Sequence, residues 1–257
     1  MFPLRPVRRP SSAGTLMLIG AVVALAAPPP AAGQIPREFE NLQVLPADID
    51  PDSLVMLMRS FSFATGLRCD DCHVMGEGGS FQGARFDLDD KENKAKARVM
   101  LRMVETINQD LLDALPERRE PPVAVECKTC HRGLRAPFLL RTELHRVIAS
   151  QGIDAAVGRY RELRESRMEL GAYDFREWEM NELGRELERD GDLEAAAAMY
   201  ELNEEYHPGS ASIPLALGRL YERMERPDRA LAAYRRVLER SPDHAFARAR
   251  VEALSGG

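Results

Sequence analysis

The stretch that decides how this chain folds is Cys69-Asp-Asp-Cys72-His73, and it recurs as Cys127-Lys-Thr-Cys130-His131. Both have the form C-x-x-C-H, the pattern of c-type haem attachment. Two cysteines three positions apart lie on one turn of helix, where each can form a thioether with one haem vinyl group. The histidine that follows then lies beneath the iron as an axial ligand. The two motifs use all four cysteines of the chain, and we therefore predict two covalently bound haem c groups.

Paired cysteines have two other common uses, and neither fits the rest of the sequence as well. Four thiolates could hold zinc, but this would leave the histidine beside each pair without a role. Redox pairs of the thioredoxin type occur next to a β-α-β unit, and no stretch of this sequence alternates as a strand does. Haem attachment is the interpretation that uses every cysteine and both adjoining histidines.

The first 33 residues have the composition of a secretory signal peptide. Three arginines precede the apolar run from Thr15 to Ala27, and a small-residue stretch ends at Gly33. The run is shorter than the roughly 20 apolar residues of a transmembrane helix. We predict cleavage after Gly33 and a periplasmic location, with membrane association only if the signal is not cleaved. Export agrees with haem attachment, which takes place outside the cytoplasm.

The composition is that of a globular, acidic protein. The 257 residues include 35 Lys+Arg against 41 Asp+Glu, a net charge of −6, and removal of the signal would make it −9. With 44% apolar and 30% charged residues, the chain is neither disordered nor a multi-span membrane protein. The acidic balance argues against a nucleic-acid partner, which requires an excess of Lys and Arg.

Residues 34–137 contain both motifs and have helical periodicity. One helix is predicted over Asp52–Ala64, ending at Gly66. A second is predicted from a cap at Asp89 or Asp90 to about Leu115, because apolar residues recur there every four positions. A glycine-rich loop, residues 75–83, separates the two. We predict no strands.

Residues 138–257 have a different composition and an internal repeat. This region has 18 Arg, 23 acidic residues and no Lys or Cys, a net charge of −5. A pattern of Leu-Gly, Ala, Tyr and Pro recurs at 34 residues and resembles the tetratricopeptide repeat: Leu183, Gly184, Ala196, Tyr200, Pro208, then Leu217, Gly218, Ala230, Tyr234, Pro242. A degenerate earlier copy is predicted around Gly152–Tyr160, and a terminal capping helix over residues 243–253. Three histidines of this region are predicted to be surface or packing residues: His145, His207 and His244.

Each haem iron needs a sixth ligand or an open position, and methionines on the preceding helices are the candidates. Met56 and Met58 precede the first motif, and Met100 and Met103 precede the second. A helical methionine usually fills a core. A thioether is nevertheless the usual partner of histidine in electron-transfer cytochromes, and the order of helix, loop and motif occurs twice. The residues alone leave open whether these methionines fill the core or bind iron, and which of each pair would bind.

Four segments together resemble the tetrahaem cytochrome c subunit of bacterial photosynthetic reaction centres. They are residues 41–46, residues 58–74, the Met100-Leu-Arg-Met103 helix with Ile107-Asn108, and residues 127–133. The resemblance implies that Met58 and Met103 are the axial methionines, with Met56 and Met100 as the alternatives. The family has four C-x-x-C-H motifs and a ligating histidine between its second helix and second motif. This chain has two motifs and no histidine between Met103 and Cys127.

The expected protein is all-α and has three parts. These are a signal peptide (1–33), a dihaem cytochrome c domain (34–137) and a tetratricopeptide-like repeat domain (138–257). The expected function is transfer of single electrons between redox partners in the cell envelope, without substrate chemistry. The iron ligands would be His73 with Met58 and His131 with Met103. The alternatives are a dihaem peroxidase-like enzyme and a haem-bearing adaptor. The repeats are expected to dock a protein partner of basic or mixed charge.

Overall fold

The computed structural model describes residues 37–117 and 120–256, so the predicted signal peptide lies outside the described residues. Within these ranges every named element is a helix, and the prediction of an all-α chain is confirmed. One isolated antiparallel bridge, between Val74 and Arg85, is the strand-like pairing found there. None of the helices in the described ranges is long and apolar enough to cross a membrane.

Four helices build the part of the chain that contains the two motifs: α1 (Pro51–Thr65), α2 (Cys69–Cys72), α3 (Glu92–Thr106) and α4 (Cys127–His131). The first agrees with the predicted helix. The Asp50 carboxylate accepts a hydrogen bond from the Ser53 N–H and caps its start. Gly66 ends it in the left-handed conformation with φ of 69°.

Helix α3 differs from its prediction at both ends. It begins at Glu92, and the residue at its N-cap is Lys91, which makes no side-chain capping bond. The predicted cap Asp89 instead pairs with Lys94 and Arg98, so its carboxylate is already engaged. The α-helical bonding ends at Thr106 and continues as a π-helical turn over Ile107–Leu111, which stops short of the predicted end at Leu115.

Seven helices follow from residue 140 onward: α5 (Leu140–Gln151), α6 (Ile153–Arg167), α7 (Glu177–Asp190), α8 (Leu193–Tyr206), α9 (Ser212–Arg223), α10 (Pro227–Arg240) and α11 (Ala245–Ser255). They pack as successive antiparallel pairs, and α11 occupies the predicted capping position. In both repeats the glycine of the Leu-Gly pair allows a tyrosine of the next helix to approach closely. A Cβ on Gly218 would lie 2.6 Å from the Tyr234 ring, and a Cβ on Gly184 would overlap the Tyr200 ring in the same way.

The apolar core belongs almost entirely to the repeats. Of the buried apolar side chains in the described residues, only Leu54 and Ala64 precede residue 140. Tyr160, Tyr200 and Tyr234 are the largest fully buried side chains. The motif-bearing part therefore encloses little apolar volume with its own side chains, which is unusual for a folded unit of this length.

Candidate functional site

A cavity of about 490 Å³ opens beside the first C-x-x-C-H motif. Met58 of α1, Cys69 of α2 and His73 all line it, together with the segments around residues 38–42 and 81–87. Its size lies in the range of cofactor and ligand sites, which are mostly apolar with a few placed polar groups. The cavity thus brings together one predicted member of each type: thiol, imidazole and thioether.

His73 is held in an apolar environment. Its ring packs edge-on against Phe86 with centroids 5.0 Å apart, and Phe86 stacks on Phe81 at 6.2 Å. Its Nδ1 is buried and has no hydrogen-bond partner. Burial lowers the pKa of His73, and the positive charge of Lys94 lowers it further, although the Phe86 carbonyl partly opposes this shift. The ring is therefore held neutral, which is the form that binds a metal.

Lys94 fixes the loop that carries Phe86. Its side chain is only 13% exposed. Its Nζ donates hydrogen bonds to the carbonyls of Phe86 at 2.8 Å and Leu88 at 2.7 Å, and it lies 3.0 Å from the Asp89 carboxylate. Arg98 donates to both oxygens of Asp89 at 2.9 Å, and the two cations hold the pKa of that carboxyl far below its usual range.

The second motif forms helix α4 and has its own local supports. His131 Nδ1 lies 2.8 Å from the Leu134 carbonyl, to which it donates in the tautomer that leaves Nε2 for a metal. Upstream, the side-chain amide of Asn108 makes two bonds with the backbone of Val125, accepting from its N–H at 2.7 Å and donating to its carbonyl at 2.9 Å. The π-helical turn thereby holds the segment that leads into the motif.

The candidate methionines have different exposures. Met58 lines the cavity, whereas the side chain of Met56 is 70% exposed and lies outside the lining. Met103 and Met100 are 43% and 39% exposed, so exposure does not separate them. Several other large apolar side chains between the start of α3 and the second motif in the chain are also exposed: Val99, Leu111, Leu115 and Val123.

All four cysteines are free thiols, and burial raises the pKa of two of them, Cys72 and Cys127. In the described ranges no three His, Cys, Asp or Glu side chains converge on a metal position, so the Cys₄ zinc arrangement is not formed. The three histidines of the repeats have protein partners there: His145 with Asp190, His207 with the Phe175 carbonyl, and His244 with the Ala247 N–H.

The two motifs lie next to each other because the end of α1 packs on the end of α4. The Gly133 N–H donates to the Ala64 carbonyl at 2.8 Å. A Cβ on Gly66 would lie 2.7 Å from the Gly133 carbonyl oxygen, so only glycine fits there. Arg135, just after the second motif, pairs at 2.7 Å with Asp71 inside the first.

Comparison with models of known protein families matches residues 22–157 to the photosynthetic reaction centre cytochrome c subunit. The chain belongs to this family. The resemblance inferred from the motifs is thereby confirmed, and the family is one of cytochrome c-type electron-transfer subunits with covalently bound haem c. A tetratricopeptide repeat model matches residues 215–244, which span most of α9 and α10. A search of curated proteins finds no match to this chain.

The residues present fit haem c. Each motif supplies two thiols for covalent attachment and one imidazole, and a thioether stands in the first cavity. The scarcity of buried apolar side chains before residue 140, together with the exposed apolar ones between the start of α3 and the second motif, matches a unit whose core includes a large apolar group.

The residues that support the two histidines could not be predicted from the sequence. Lys94 and Phe86 support His73, and the Leu134 carbonyl supports His131. A backbone carbonyl leaves no signal in a sequence, and a lysine on an amphipathic helix is ordinary. Asn108 was part of the family pattern, but its role became visible only in its two bonds to Val125.

Proposed function

We propose that this protein is an exported dihaem cytochrome that transfers single electrons between redox partners of the periplasm. The observation that carries the proposal is the shared cavity of Met58, Cys69 and His73 beside the first motif. In this proposal residues 34–137 hold both haems and residues 138–257 form the repeat domain.

Four protein atoms would hold each haem. Cys69 and Cys72 attach the first haem, with His73 and Met58 as axial ligands. The position of Met58 in the cavity and the exposure of Met56 support this choice. For the second haem the residues are Cys127, Cys130, His131 and Met103, where Met103 rests on the family pattern and Met100 remains the alternative.

The haem irons, when bound, supply a reversible one-electron couple. The protein's part is to hold the ligands and to keep other reactants away. With His73 and Met58 on one iron and His131 and Met103 on the other, no position would be open for peroxide, which argues against the dihaem peroxidase alternative. Backbone and side-chain contacts hold the two motifs side by side, through Gly133 with Ala64 and Arg135 with Asp71, and would hold haems attached to them next to each other.

Mass spectrometry and spectroscopy of the exported protein test this proposal. We expect the mass of the mature chain plus two haems, retained after denaturation. Met58→Ala should abolish methionine coordination at one haem, and Met56→Ala is its matched control from the same helix. Met103→Ala and Met100→Ala form the corresponding pair for the second haem. A bare polypeptide mass from a host able to attach haem, or high-spin iron with peroxide turnover, would contradict the proposal.

Tetratricopeptide repeats imply protein–protein interaction, and we propose that here they dock a redox partner. Two exposed aromatic rings on these helices are each covered on one face by an arginine. Arg185 lies 5.4 Å from the centroid of Trp178, and Arg219 lies 4.8 Å from that of Phe246. Trp178 is 61% exposed, and tryptophan is enriched among the residues that anchor protein interfaces.

Immobilised full-length holoprotein tests the docking role. Trp178→Ala should weaken retention of periplasmic redox proteins, and added salt should weaken it as well. Met168→Ala, at a residue that is 50% exposed beyond α6, is the control. If both variants retain redox proteins as well as the unchanged protein does, the repeats have a structural role. That result would favour a simple electron carrier over the adaptor.

A further inference from the structure

The two axial histidines differ in what their second ring nitrogen meets. His131 Nδ1 is 2.8 Å from the Leu134 carbonyl, while His73 Nδ1 is buried without a partner. An imidazole that donates a hydrogen bond from the nitrogen away from the metal becomes a more basic ligand. A more basic ligand stabilises the oxidised iron, so this difference alone would make the site of His131 the harder one to reduce.

A mostly buried cation adds to this difference at the first site. The Lys94 ammonium lines the cavity of His73 on a side chain that is 13% exposed. It also donates to the Phe86 carbonyl at 2.8 Å, in the residue whose ring packs against His73. The cations closest in sequence to His131, Lys128 and Arg132, are exposed to solvent and screened.

The charge of Lys94 is not cancelled by its ion pair. Asp89 is shared between Lys94 at 3.0 Å and Arg98 at 2.9 Å, so this cluster of two cations and one carboxylate has a net charge of about +1. Elsewhere in the lining, Arg85 is paired with Asp87, and the remaining charged side chains are exposed: Glu38, Glu40 and Arg59. A positive charge beside an iron destabilises its ferric state relative to its ferrous state.

We propose, on the basis of the dihaem function above, that Lys94 and the unpartnered Nδ1 of His73 give the first haem a higher reduction potential than the second. One electron then passes from the ferrous iron held by His131, which becomes ferric, to the ferric iron held by His73, which becomes ferrous. Lys94 is a positioning residue in this scheme, because it acts through the His73 ring, the Phe86 loop and its own charge. The donor would meet the protein near α4 and the acceptor near the first cavity.

Spectroelectrochemical titration of the full-length holoprotein tests the order of the two midpoint potentials. Met58→His and Met103→His assign them, since replacing methionine lowers the potential of the haem concerned. We expect the higher midpoint to respond to Met58→His. Lys94→Met should then lower that midpoint and leave the other in place. The equilibrium constant for electron exchange between the two haems should change about tenfold, which corresponds to a shift of ~59 mV in the midpoint potential.

Two further variants make the test specific. Lys94→Arg keeps the charge and should keep the potential. Lys96→Met removes a lysine from the same helix, but one whose side chain is 66% exposed and paired with Glu92, and should have little effect. A higher midpoint that responds to Met103→His would overturn the inference, as would equal shifts from Lys94→Met and Lys96→Met. Either result in a protein with two histidine–methionine haems leaves the proposed function intact, whereas a protein without haem refutes both.

Discussion

The junction between the two motifs can be tested with a single methyl group at Gly66. This residue ends α1 with φ of 69°, and an alanine in the left-handed region costs about 1–2 kcal/mol. The added Cβ would also lie 2.7 Å from the Gly133 carbonyl oxygen, a rigid backbone atom that must move. Overpacking of this kind costs roughly 1–3 kcal/mol. Gly66→Ala should therefore destabilise the cytochrome part by roughly 2–5 kcal/mol.

Gly133→Ala is the matched control, because it separates backbone strain from the clash. Gly133 has φ of 85°, but no heavy atom lies within 4 Å of where its Cβ would be. Only the strain of about 1–2 kcal/mol should appear. Denaturant unfolding of the holoproteins, followed by the visible band of methionine-bound ferric haem, reports on this part of the chain without signal from the repeats. Equal losses in the two variants would refute the proposed packing of α1 on α4.

Three further outcomes follow from the described contacts. Gly184→Ala should lower the free energy of unfolding by roughly 1–3 kcal/mol, because its Cβ would overlap the Tyr200 ring. Gly158→Ala, in the open middle of α6, should raise the free energy of unfolding by up to ~1 kcal/mol. Thermal melts measure both changes. Asn108→Ala removes two hydrogen bonds that hold the segment before the second motif, so roughly 1–3 kcal/mol should be lost and methionine coordination should weaken at the second haem alone in absorption spectra. Burial, with the nearby Glu222 carboxylate, raises the pKa of Tyr234 from 10.0 to about 12. The unfolded chain therefore loses this proton first, and stability should fall between pH 10 and 12 by up to roughly 3 kcal/mol. Tyr234→Phe should reduce that fall, and an unchanged alkaline profile would show that this phenol does not cause it.

Local patterns account for most of what could be predicted about the fold. The 3.6-residue periodicity and Gly66 determine α1, because capping and amphipathicity act within a few residues. The 34-residue recurrence determines the paired helices, since each Leu-Gly position must meet a tyrosine of the next helix. The start of α3 differs from its prediction because Asp89 has two cationic partners, Lys94 and Arg98, in the folded chain and is not available as a cap.

The functional site likewise combines features that local sequence patterns determine with features that only the folded chain creates. The C-x-x-C-H spacing alone determines the expected chemistry, because thioether attachment and axial ligation require those atoms on one helical turn. The family follows from the wider set of matching segments around both motifs. The residues alone left Met56 and Met58, two positions apart on α1, as alternatives until the resemblance implied Met58, and they could not distinguish His73 from His131. Those differences depend on which side of α1 faces the cavity, on the carbonyl of Leu134 and on the ammonium of Lys94. Such contacts join residues from separate segments, and only the tertiary structure brings them within hydrogen-bond distance.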